Sequence, residues 1–521
     1  MTAAPADAQN DVTQRLVAIL GQEAVINDAQ TLDYFSNDVY RGAGKPLAVL
    51  RPASISDLQA AVACCNAAGI AMVPRGGGAS YTDGYIYGPG GHVVIDTGAL
   101  NGIDVDIENA SVTVGAGTTW AALKAKLDPL GLRTPFWGPF SGIAATIGGS
   151  VSQNSVSHGT AGFGISAESV LSMEVVLADG ELMKTGISSA TRFYGPDMTG
   201  LFTGDCGALG IKAKITLPLI AARKEAEAMS FAFDDFAACH AAVSKVQKEK
   251  LDDSLFGLDL ALSQGQIARQ EGVGARLQIA KQVMAKAPNP VAGLKQLAKM
   301  AIGGEGAMRA GAYMAHIIVE GVDKNDVWAR AQRLREICTA HGREIANTVP
   351  AFVRSMPFAP LGNILGPGGE RWVPIHGVFK QKDTVAFHNA FQALLAGRKA
   401  ELDRLGIWTG TMFSPSGPSG FLYEIAIYWP DVRSEYHRRT LGDEYLAGIP
   451  SFPENEEARA AADQLKRDAV ALMQEHGAAH YQLGRAYPYQ SRLDPQAAAL
   501  LRSVKAQLDP KGLMNPGVLG L

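Results

Sequence analysis

Short apolar runs separated by amphipathic stretches organise the first 220 residues. PLAVL and IAMVP are apolar runs of strand length, and the segment between them starts with the polar Ser54 and Asp57, continues as LQAAVACCNAA and closes at Gly69. A hydroxyl cap, an apolar helical body and a terminal glycine predict a helix between two strands. HVVID, SVTVGAG and LSMEVVLADG predict further strands, and TTWAALKAKLDPLG predicts a helix.

Beyond residue 220 the pattern changes to a strand, an acidic turn and a long amphipathic helix, and it recurs. The recurring segments are SFAFDDFAACHAAVSKVQ, HIIVEGVDKNDVWARAQRLREIC, PIHGVFKQKDTVAFHNAFQALL, and YEIAIYWPD with its later helix ARAAADQLKRDAVALM. Such units predict an antiparallel sheet covered by helices on one face. In the last segment, Asp494-Pro495 starts a helix that stops at Asp509-Pro510.

Composition narrows the class of protein. A chain of 521 residues with 47% hydrophobic content can form two or more domains. A net charge of −4 and a pI near 6.2, without a dense basic block, disfavour nucleic-acid partners. No uninterrupted apolar run is long enough to predict membrane insertion. The cysteine count, five, is no disulfide framework for so long a chain, which favours a cytoplasmic location.

Glycine is concentrated in clusters within the first 220 residues. The chain has 58 glycines among 521 residues, which is a larger share than the usual value of about 7%. The clusters lie in MVPRGGGASYTDG, TIGGSVSQNSVSHGTAGFG and GPDMTGLFTGDCGALGI. Bare backbone amides after a strand form an anion site, so a phosphate or pyrophosphate is the expected ligand. The P-loop motif is missing, and Gly115 and Gly117 lack the third glycine of a Rossmann fingerprint.

These clusters, in this order over residues 45–220, resemble the vanillyl-alcohol oxidase / para-cresol methylhydroxylase (PCMH) family of flavoproteins. The C-terminal DPKGLMNPG resembles the tail of its D-lactate dehydrogenase and glycolate oxidase members. The resemblance implies an α+β protein. Residues 1–220 would form a two-subdomain PCMH-type FAD-binding domain, 221–480 an α+β cap domain with an antiparallel sheet, and 481–521 a segment that returns to the FAD domain.

The resemblance also implies which residues bind FAD, with the glycine loop at the pyrophosphate. The implied residues are Pro74, Arg75, Gly76, Gly77, Gly78, Ala79, Ser80, Tyr81, Thr146, Gly148, Gly149, Ser152, His158, Gly159, Ile211 and Asn515. Relatives that bind the flavin covalently carry a histidine where this chain has Ala79, or in the cap where it has Gly369 or Glu370. We therefore expect non-covalent FAD.

The family's substrate motifs are incomplete here. Of the phenol-oxidising motif the chain keeps Tyr481 but has Gln482 for the arginine, Ala79 near the second tyrosine and Ile165 for the aspartate. The histidine-rich metal motif of the 2-hydroxy-acid members is absent, so we expect no catalytic metal. The expected function is FAD-dependent hydride abstraction from a CH–OH carbon of a small organic substrate. A 2-hydroxy acid is slightly preferred, an aryl or phenolic alcohol is the alternative, and a flavin-dependent lyase or synthase is a third reading.

Candidate catalytic residues lie in the cap and just after it. The chemistry needs a base for the hydroxyl proton and donors or a cation to hold the substrate. The candidates are His376, Glu424, His480, Tyr481 and Arg485, and each has a structural alternative, such as a hydrogen-bonded core histidine or a salt-bridged glutamate. The sequence leaves the electron acceptor open between oxygen, a quinone and a protein, and it is compatible with a homodimer.

Overall fold

The computed structural model describes residues 6–187, 190–269, 311–359 and 365–521. Its strands are β1 Val25–Ile26, β2 Ala48–Leu50, β3 Met72–Arg75, β4 Val93–Asp96, β5 Ile103–Asp106, β6 Ser111–Gly115, β7 Leu132–Arg133, β8 Ser172–Val176, β9 Leu182–Lys184, β10 Ile211–Pro218, β11 Ile220–Ala221, β12 Glu225–Phe233, β13 Ser254–Asp259, β14 Tyr313–Gly321, β15 Arg343–Ile345, β16 Arg371–Lys380, β17 Trp408–Ser416 and β18 Gly420–Trp429.

The α-helices of the described residues alternate with these strands. They are α1 Ala6–Leu20, α2 Ala29–Phe35, α3 Ile55–Ala68, α4 Trp120–Leu127, α5 Ile147–Gln153, α6 Thr160–Phe163, α7 Phe236–Lys248, α8 Leu260–Arg269, α9 Lys324–Thr339, α10 Thr348–Ser355, α11 Thr384–Leu405, α12 Glu435–Leu441, α13 Asp443–Leu446, α14 Glu456–Glu475 and α15 Pro495–Leu508.

The first sheet has the order β1-β2-β4-β3 and delivers the glycine loop at the end of β3. β4 runs parallel to both β2 and β3. The predicted helix between β2 and β3 is α3, whose N-cap Ser54 accepts a hydrogen bond from the amide of Asp57 and whose C-cap Gly69 adopts a left-handed conformation. Parallel strands end at one edge of a sheet, and that edge is where ligands bind in such folds.

A second sheet, of order β5-β6-β10-β8-β9, is antiparallel throughout. Its inner face packs on α4 and α5 in a core that contains Val114, Trp120 and Ile215. The indole nitrogen of Trp120 donates to the Ser150 hydroxyl at 2.8 Å, which ties α4 to α5. This contact holds the second glycine-rich segment, at the start of α5, against the sheet.

The largest sheet has the order β15-β12-β14-β13-β17-β18-β16, and all of its strand pairs are antiparallel. Helices α7, α9, α11 and α14 pack on one face in a core that includes Phe231, Phe413 and Tyr423. The prediction of an α+β protein with an antiparallel sheet is confirmed. The opposite face of this sheet is not covered by these helices and borders a cavity.

The C-terminal segment pairs with the first sheet through a parallel bridge between Met72 and Met514. Helix α15 is capped by Asp494, and after it the Met72 amide donates to Leu513 while the Asn515 amide donates to Met72, each at 2.8 Å. A buried ion pair closes the turn, because Lys505 donates to Asp509 at 2.6 Å and to the carbonyl oxygens of Ala208 and Met514. The last residues thus extend the edge of the strand that carries the glycine loop.

Replacement of Lys505 by Met should loosen this attachment. The change leaves the Asp509 carboxylate, which also accepts the amides of Leu513 and Met514, buried without its cation, and breaking a buried pair costs about 3 kcal/mol. Urea unfolding followed by tryptophan fluorescence measures the loss. Lys511→Met is the control, since Lys511 makes one exposed hydrogen bond to Asn66 and should cost no more than about 0.5 kcal/mol. Equal losses in the two variants would contradict this account of the tail.

Candidate active site

One large cavity lies between the glycine-rich loops and the uncovered face of the seven-stranded sheet. Its volume is ≈ 440 Å³, within the range of cofactor and substrate pockets. The three glycine-rich segments line one side, and residues of β13, β16, β17, β18 and α10 line the other. The cavity therefore joins the predicted phosphate cradle to the predicted substrate region.

The glycine loop packs backbone to backbone on the segment before α5. A Cβ atom at Gly77 would overlap the carbonyl oxygen of Ala144, and one at Gly76 would overlap the Thr146 hydroxyl. Gly78 has a positive φ of 66° and lies against the guanidinium of Arg75. The three glycines are thus required by contacts within the protein, and the bare backbone that we expected for ligand approach also serves to seat one loop on the other.

This loop fits an anionic ligand. Within the described part of the chain, the amides of residues 76–80 donate no hydrogen bond to another protein group, although buried amides are almost always paired. Arg75 is buried, with its guanidinium among the rings of Tyr34, Phe35 and Tyr85 at 4.5–4.8 Å. Its Nη2 atom has no partner. Free amides beside an unpaired cationic nitrogen match the pyrophosphate of a dinucleotide.

The second glycine-rich segment supplies a helix start at the cavity wall. The Thr146 hydroxyl accepts the Gly149 amide as the N-cap of α5, and Gly148 packs on Ala116, where a Cβ would be 2.7 Å from the alanine side chain. His158 also lines the cavity. Its Nε2 bonds the Pro357 carbonyl at 2.8 Å, and its ring stacks on Trp137. Burial lowers the pKa of His158 to about 4, so its imidazole is neutral near pH 7.

All of the predicted cofactor residues line the cavity except Gly159 and Asn515. Gly159 has a positive φ of 88° and packs against the Pro135 carbonyl. The Asn515 side chain is buried and donates to the carbonyl oxygens of Gly84 and Cys206, each at 2.8 Å. Asn515 therefore joins the tail to two cavity loops from behind, without facing the cavity itself.

The seven-stranded sheet places His376 and Glu424 side by side on the cavity wall. They are register partners on β16 and β18, and neighbours of this kind have Cβ atoms about 5 Å apart. Burial, followed by the proximity of His480, lowers the pKa of His376 to about 3, and both ring nitrogens lack a partner. Burial raises the pKa of Glu424 to about 7. Tyr428 shares the cavity face with Glu424, while Tyr423 points into the helix-covered core, because successive side chains of a strand point to opposite faces.

The other three predicted catalytic residues lie behind the wall. Arg485 donates to the backbone oxygens of Asp83 and Pro516 and to the side chain of Asn515, so its guanidinium is used within the protein. The Tyr481 hydroxyl bonds Ser416 at 3.0 Å. His480 bonds the His376 carbonyl at 2.7 Å and stacks on Tyr487. None of the three is among the residues that line the cavity.

Some residues at the cavity were not predicted from the sequence. The Tyr436 hydroxyl, on α12, donates to the Gly78 carbonyl at 2.9 Å, and Tyr85 donates to the same oxygen at 2.6 Å. Tyr436 also stacks on Tyr34 with parallel rings 5.7 Å apart. Only the SEYH start of α12, where Ser434 and His437 form a capping box, signals that an ordered helix begins there.

No group of three or more His, Cys, Asp or Glu side chains within the described ranges could hold a metal ion. Among the same residues, no helix is long and apolar enough to cross a membrane. All five cysteines are buried and free of disulfides.

Comparison with known proteins defines the class. Residues 46–186 match the FAD binding domain family, and residues 453–519 match the C-terminal domain of FAD linked oxidases. The glycolate oxidase subunit GlcD of Bacillus subtilis is 27% identical over 46% of this chain and 51% of its own. The mitochondrial D-lactate dehydrogenase (cytochrome) of Arabidopsis thaliana is 28% identical over 38% and 36%, respectively. A D-2-hydroxyglutarate dehydrogenase of Xanthomonas citri is 30% identical over 36% and 40%. The chain thus spans about half the length of these relatives or less.

Solved structures extend the fold comparison to the whole chain. A substrate-bound p-cresol methylhydroxylase superposes with a TM-score of 0.73 at 18% identity, covering 99% of this chain and 98% of its own. An alkyldihydroxyacetonephosphate synthase gives 0.69 at 16% identity, covering 97% and 84%. The match to the FAD binding domain identifies a flavoprotein that uses FAD, and the two matched segments are similar to those of FAD-linked oxidases. The chain as a whole shares the fold of these solved structures.

Replacement of Gly77 by Ala should weaken FAD binding, because the new methyl group overlaps the Ala144 carbonyl and would push the two cavity loops apart. The Kd for FAD, measured by titrating the apoprotein and following flavin fluorescence, should rise at least about tenfold, the effect of losing roughly 1.4 kcal/mol of binding free energy. Gly88→Ala is the matched control, because a Cβ at Gly88 meets no atom within 4 Å. An unchanged Kd for FAD in Gly77→Ala would show that the loop contact is not needed for cofactor binding.

Proposed function

We propose that this protein is an FAD-dependent oxidoreductase that removes a hydride from the CH–OH carbon of a small organic molecule. The observation that carries the proposal is the pair His376 and Glu424. Both face a cavity continuous with the glycine cradle, and neither ring nitrogen of His376 has a hydrogen-bond partner among the described residues. Unpaired polar groups on a cavity wall are available to a substrate.

Bound FAD supplies the hydride acceptor, and the protein must then remove the hydroxyl proton and orient the carbon. Glu424 is proposed as the base. Its pKa of about 7 leaves it substantially ionised near neutral pH, and a base with a pKa near the working pH is the most effective. His376 is proposed to orient the substrate hydroxyl, since an imidazole with a pKa near 3 is a weak base but still has one donor and one acceptor nitrogen.

We also propose roles for the cofactor residues, some of which would contact FAD while others would support the loops that do. The free amides of residues 76–80 and Arg75 would hold the pyrophosphate, and Thr146, Ser152, His158 and Ile211 would line the rest of the FAD site. Asn515 and Gly159 are proposed to support these loops rather than to touch FAD. Tyr481, His480 and Arg485 are likewise proposed to have a positioning role, in which their hydrogen bonds fix neighbouring segments and the side chains do not contact FAD or substrate.

The domain organisation proposed here follows the sheets. Residues 1–220 contain the four-stranded and five-stranded sheets and all three glycine-rich segments, 221–480 contain the seven-stranded sheet with its helices, and 481–521 contain the returning tail. A cytoplasmic location is proposed from the five unpaired cysteines, which suit a reducing compartment.

The relatives are named for glycolate and D-lactate, which are 2-hydroxy acids. The solved structures of similar fold are named for p-cresol and for alkyldihydroxyacetonephosphate. Hydride abstraction from CH–OH is favoured over a lyase or synthase reaction because the wall presents a candidate base next to a hydrogen-bonding imidazole. Oxidation at a hydroxyl carbon uses a base for the hydroxyl proton, and a hydrogen-bonding group beside it can orient the hydroxyl.

Glu424→Gln should slow flavin reduction by the substrate at least about 100-fold, the effect of losing a general base. In the wild type, kcat/KM should fall about tenfold per pH unit below pH 7, because protonation inactivates the base, and should level off above it. His376 and Tyr81, beside Glu424 in the cavity, do not titrate near pH 7, since burial lowers the pKa of His376 to about 3 and raises that of Tyr81 well above its usual value. Stopped-flow reduction across pH 5–9 tests this. A variant that keeps the acid limb would exclude Glu424 as the base.

FAD should dissociate when the protein is denatured. Ala79 occupies the loop position of the covalent histidine, and Gly369 packs with a positive φ of 106° against the Asp431 carbonyl, away from the residues that line the cavity. Acid precipitation should therefore leave yellow FAD in the supernatant. Flavin absorbance retained in the washed pellet would demonstrate a covalent link and would contradict this proposal.

A further inference from the structure

The cap side of the cavity is mostly apolar; its polar members are Ser254, Thr348, His376, Ser414, Glu424, Tyr428 and Tyr436. The strands and helices of the cap contribute large apolar side chains, and the ring of Phe140 from the second glycine-rich segment packs against that of Phe256, with centroids 5.8 Å apart. Phe256, Leu258, Leu262, Phe352 and Met412 are among these apolar residues. Glu424 is the one acidic residue among the described residues that line the cavity.

Positive charge is confined to the other side. Arg75 and Lys212 are the lysine and arginine residues found among the described lining. Arg75 is held in its aromatic cage at the glycine loop, and Lys212 forms a buried ion pair with Asp205. Neither belongs to the cap sheet, so both are placed to meet the cofactor rather than the substrate.

The nearby arginines of the cap and tail are also engaged elsewhere. Arg371, at the start of β16, is buried, donates to the Val432 carbonyl at 2.7 Å and lies 3.7 Å from the Asp431 carboxylate. Arg485 is committed to backbone oxygens and to Asn515. A substrate carboxylate in a buried site is normally held by an arginine or lysine, and the described cap wall offers it a glutamate instead.

We propose that the substrate is an uncharged, largely apolar alcohol, and that Glu424 excludes 2-hydroxy acids by charge repulsion in an apolar cavity. This inference rests on the proposed CH–OH oxidation and narrows it to one substrate class. Like charges in a site of low polarity repel each other strongly. A charged residue in the site can therefore discriminate against a substrate that carries the same charge. An alcohol, by contrast, can donate a hydrogen bond to the carboxylate, and its apolar part can pack against the apolar side chains of the wall.

The relatives named for hydroxy acids do not oppose this reading. The family matches cover residues 46–186 and 453–519, whereas the strands that form the cap wall lie between residues 254 and 429. The matched segments carry the cofactor loops and the tail. The strands of the substrate wall lie outside the two family matches. The similarity of the cofactor loops to those families therefore does not determine which substrate the wall accepts.

Two ligands that differ in one substituent, which is neutral in one and anionic in the other, provide the test. 1-Phenylethanol and mandelate share a phenyl ring and a CH–OH carbon, and mandelate has a carboxylate where the other has a methyl group. Binding to the FAD-loaded protein at pH 8 is followed by the change in the flavin absorbance spectrum. 1-Phenylethanol should bind more tightly than mandelate, and this preference should be about tenfold larger in the wild type than in Glu424→Gln, because at pH 8 a carboxylate with a pKa of about 7 escapes repulsion by protonation at about that cost. In the control Glu457→Gln, an exposed residue of α14, the preference should equal that of the wild type.

Several results would overturn the proposal. They are equal or tighter binding of mandelate, an unchanged ratio in Glu424→Gln, and no binding of 1-phenylethanol at millimolar concentration. Anaerobic flavin reduction separates this inference from the proposed function. Reduction by mandelate but not by 1-phenylethanol would refute the substrate class and leave the CH–OH oxidation standing. Selective binding of 1-phenylethanol by a protein whose flavin neither ligand reduces would support the charge selection and refute that oxidation.

Discussion

The contact between the glycine loop and the segment before α5 is the constraint on which the site depends. Side chains at Gly76 and Gly77 would collide with Thr146 and Ala144, so the two loops meet only as bare backbone. With the loop backed in this way, the amides of residues 76–80 are left without protein partners at the cavity. Asn515 and Arg485 brace neighbouring loops from behind. The cradle is therefore shaped by packing among protein atoms before any cofactor contributes.

The cap is attached to this cradle through a few aromatic contacts. Tyr436 donates to the Gly78 carbonyl and stacks on Tyr34, and Trp372 packs edge-on against Tyr81 at 5.1 Å. These residues join α12 and β16 of the cap to the loop that follows β3. Because β16 also carries His376, a shift of the cap would move the substrate wall and the cofactor loop together. Cofactor binding and substrate orientation thus share one mechanical connection.

The local elements could be predicted from the sequence, whereas the partners of long polar side chains could not. The helix between Ser54 and Gly69, the start of α15 at Asp494 and the alternation along β18 depend on residues close in sequence. Arg485, Tyr481 and His480 have the chemistry of catalytic residues, yet Arg485 is engaged by Asp83, about 400 positions earlier. The amino-acid sequence alone does not show which backbone carbonyl will accept a hydrogen bond from a given arginine. The pairing of His376 with Glu424 likewise arises from strand register, and Tyr436 reaches Gly78 only through the docking of the cap.

Glu424 makes the electrostatics of the cavity asymmetric. A carboxylate away from water is costly unless it is paired or hydrogen-bonded, and its raised pKa expresses that cost as a weaker hold on its charge. The neutral His376 beside it cannot offset a negative charge, and Arg75 and Lys212 stand on the cofactor side. A hydroxyl donor that enters the cavity supplies the hydrogen bond that the protein withholds. The proposed binding of an alcohol and the proposed proton transfer would therefore both act on the Glu424 carboxylate.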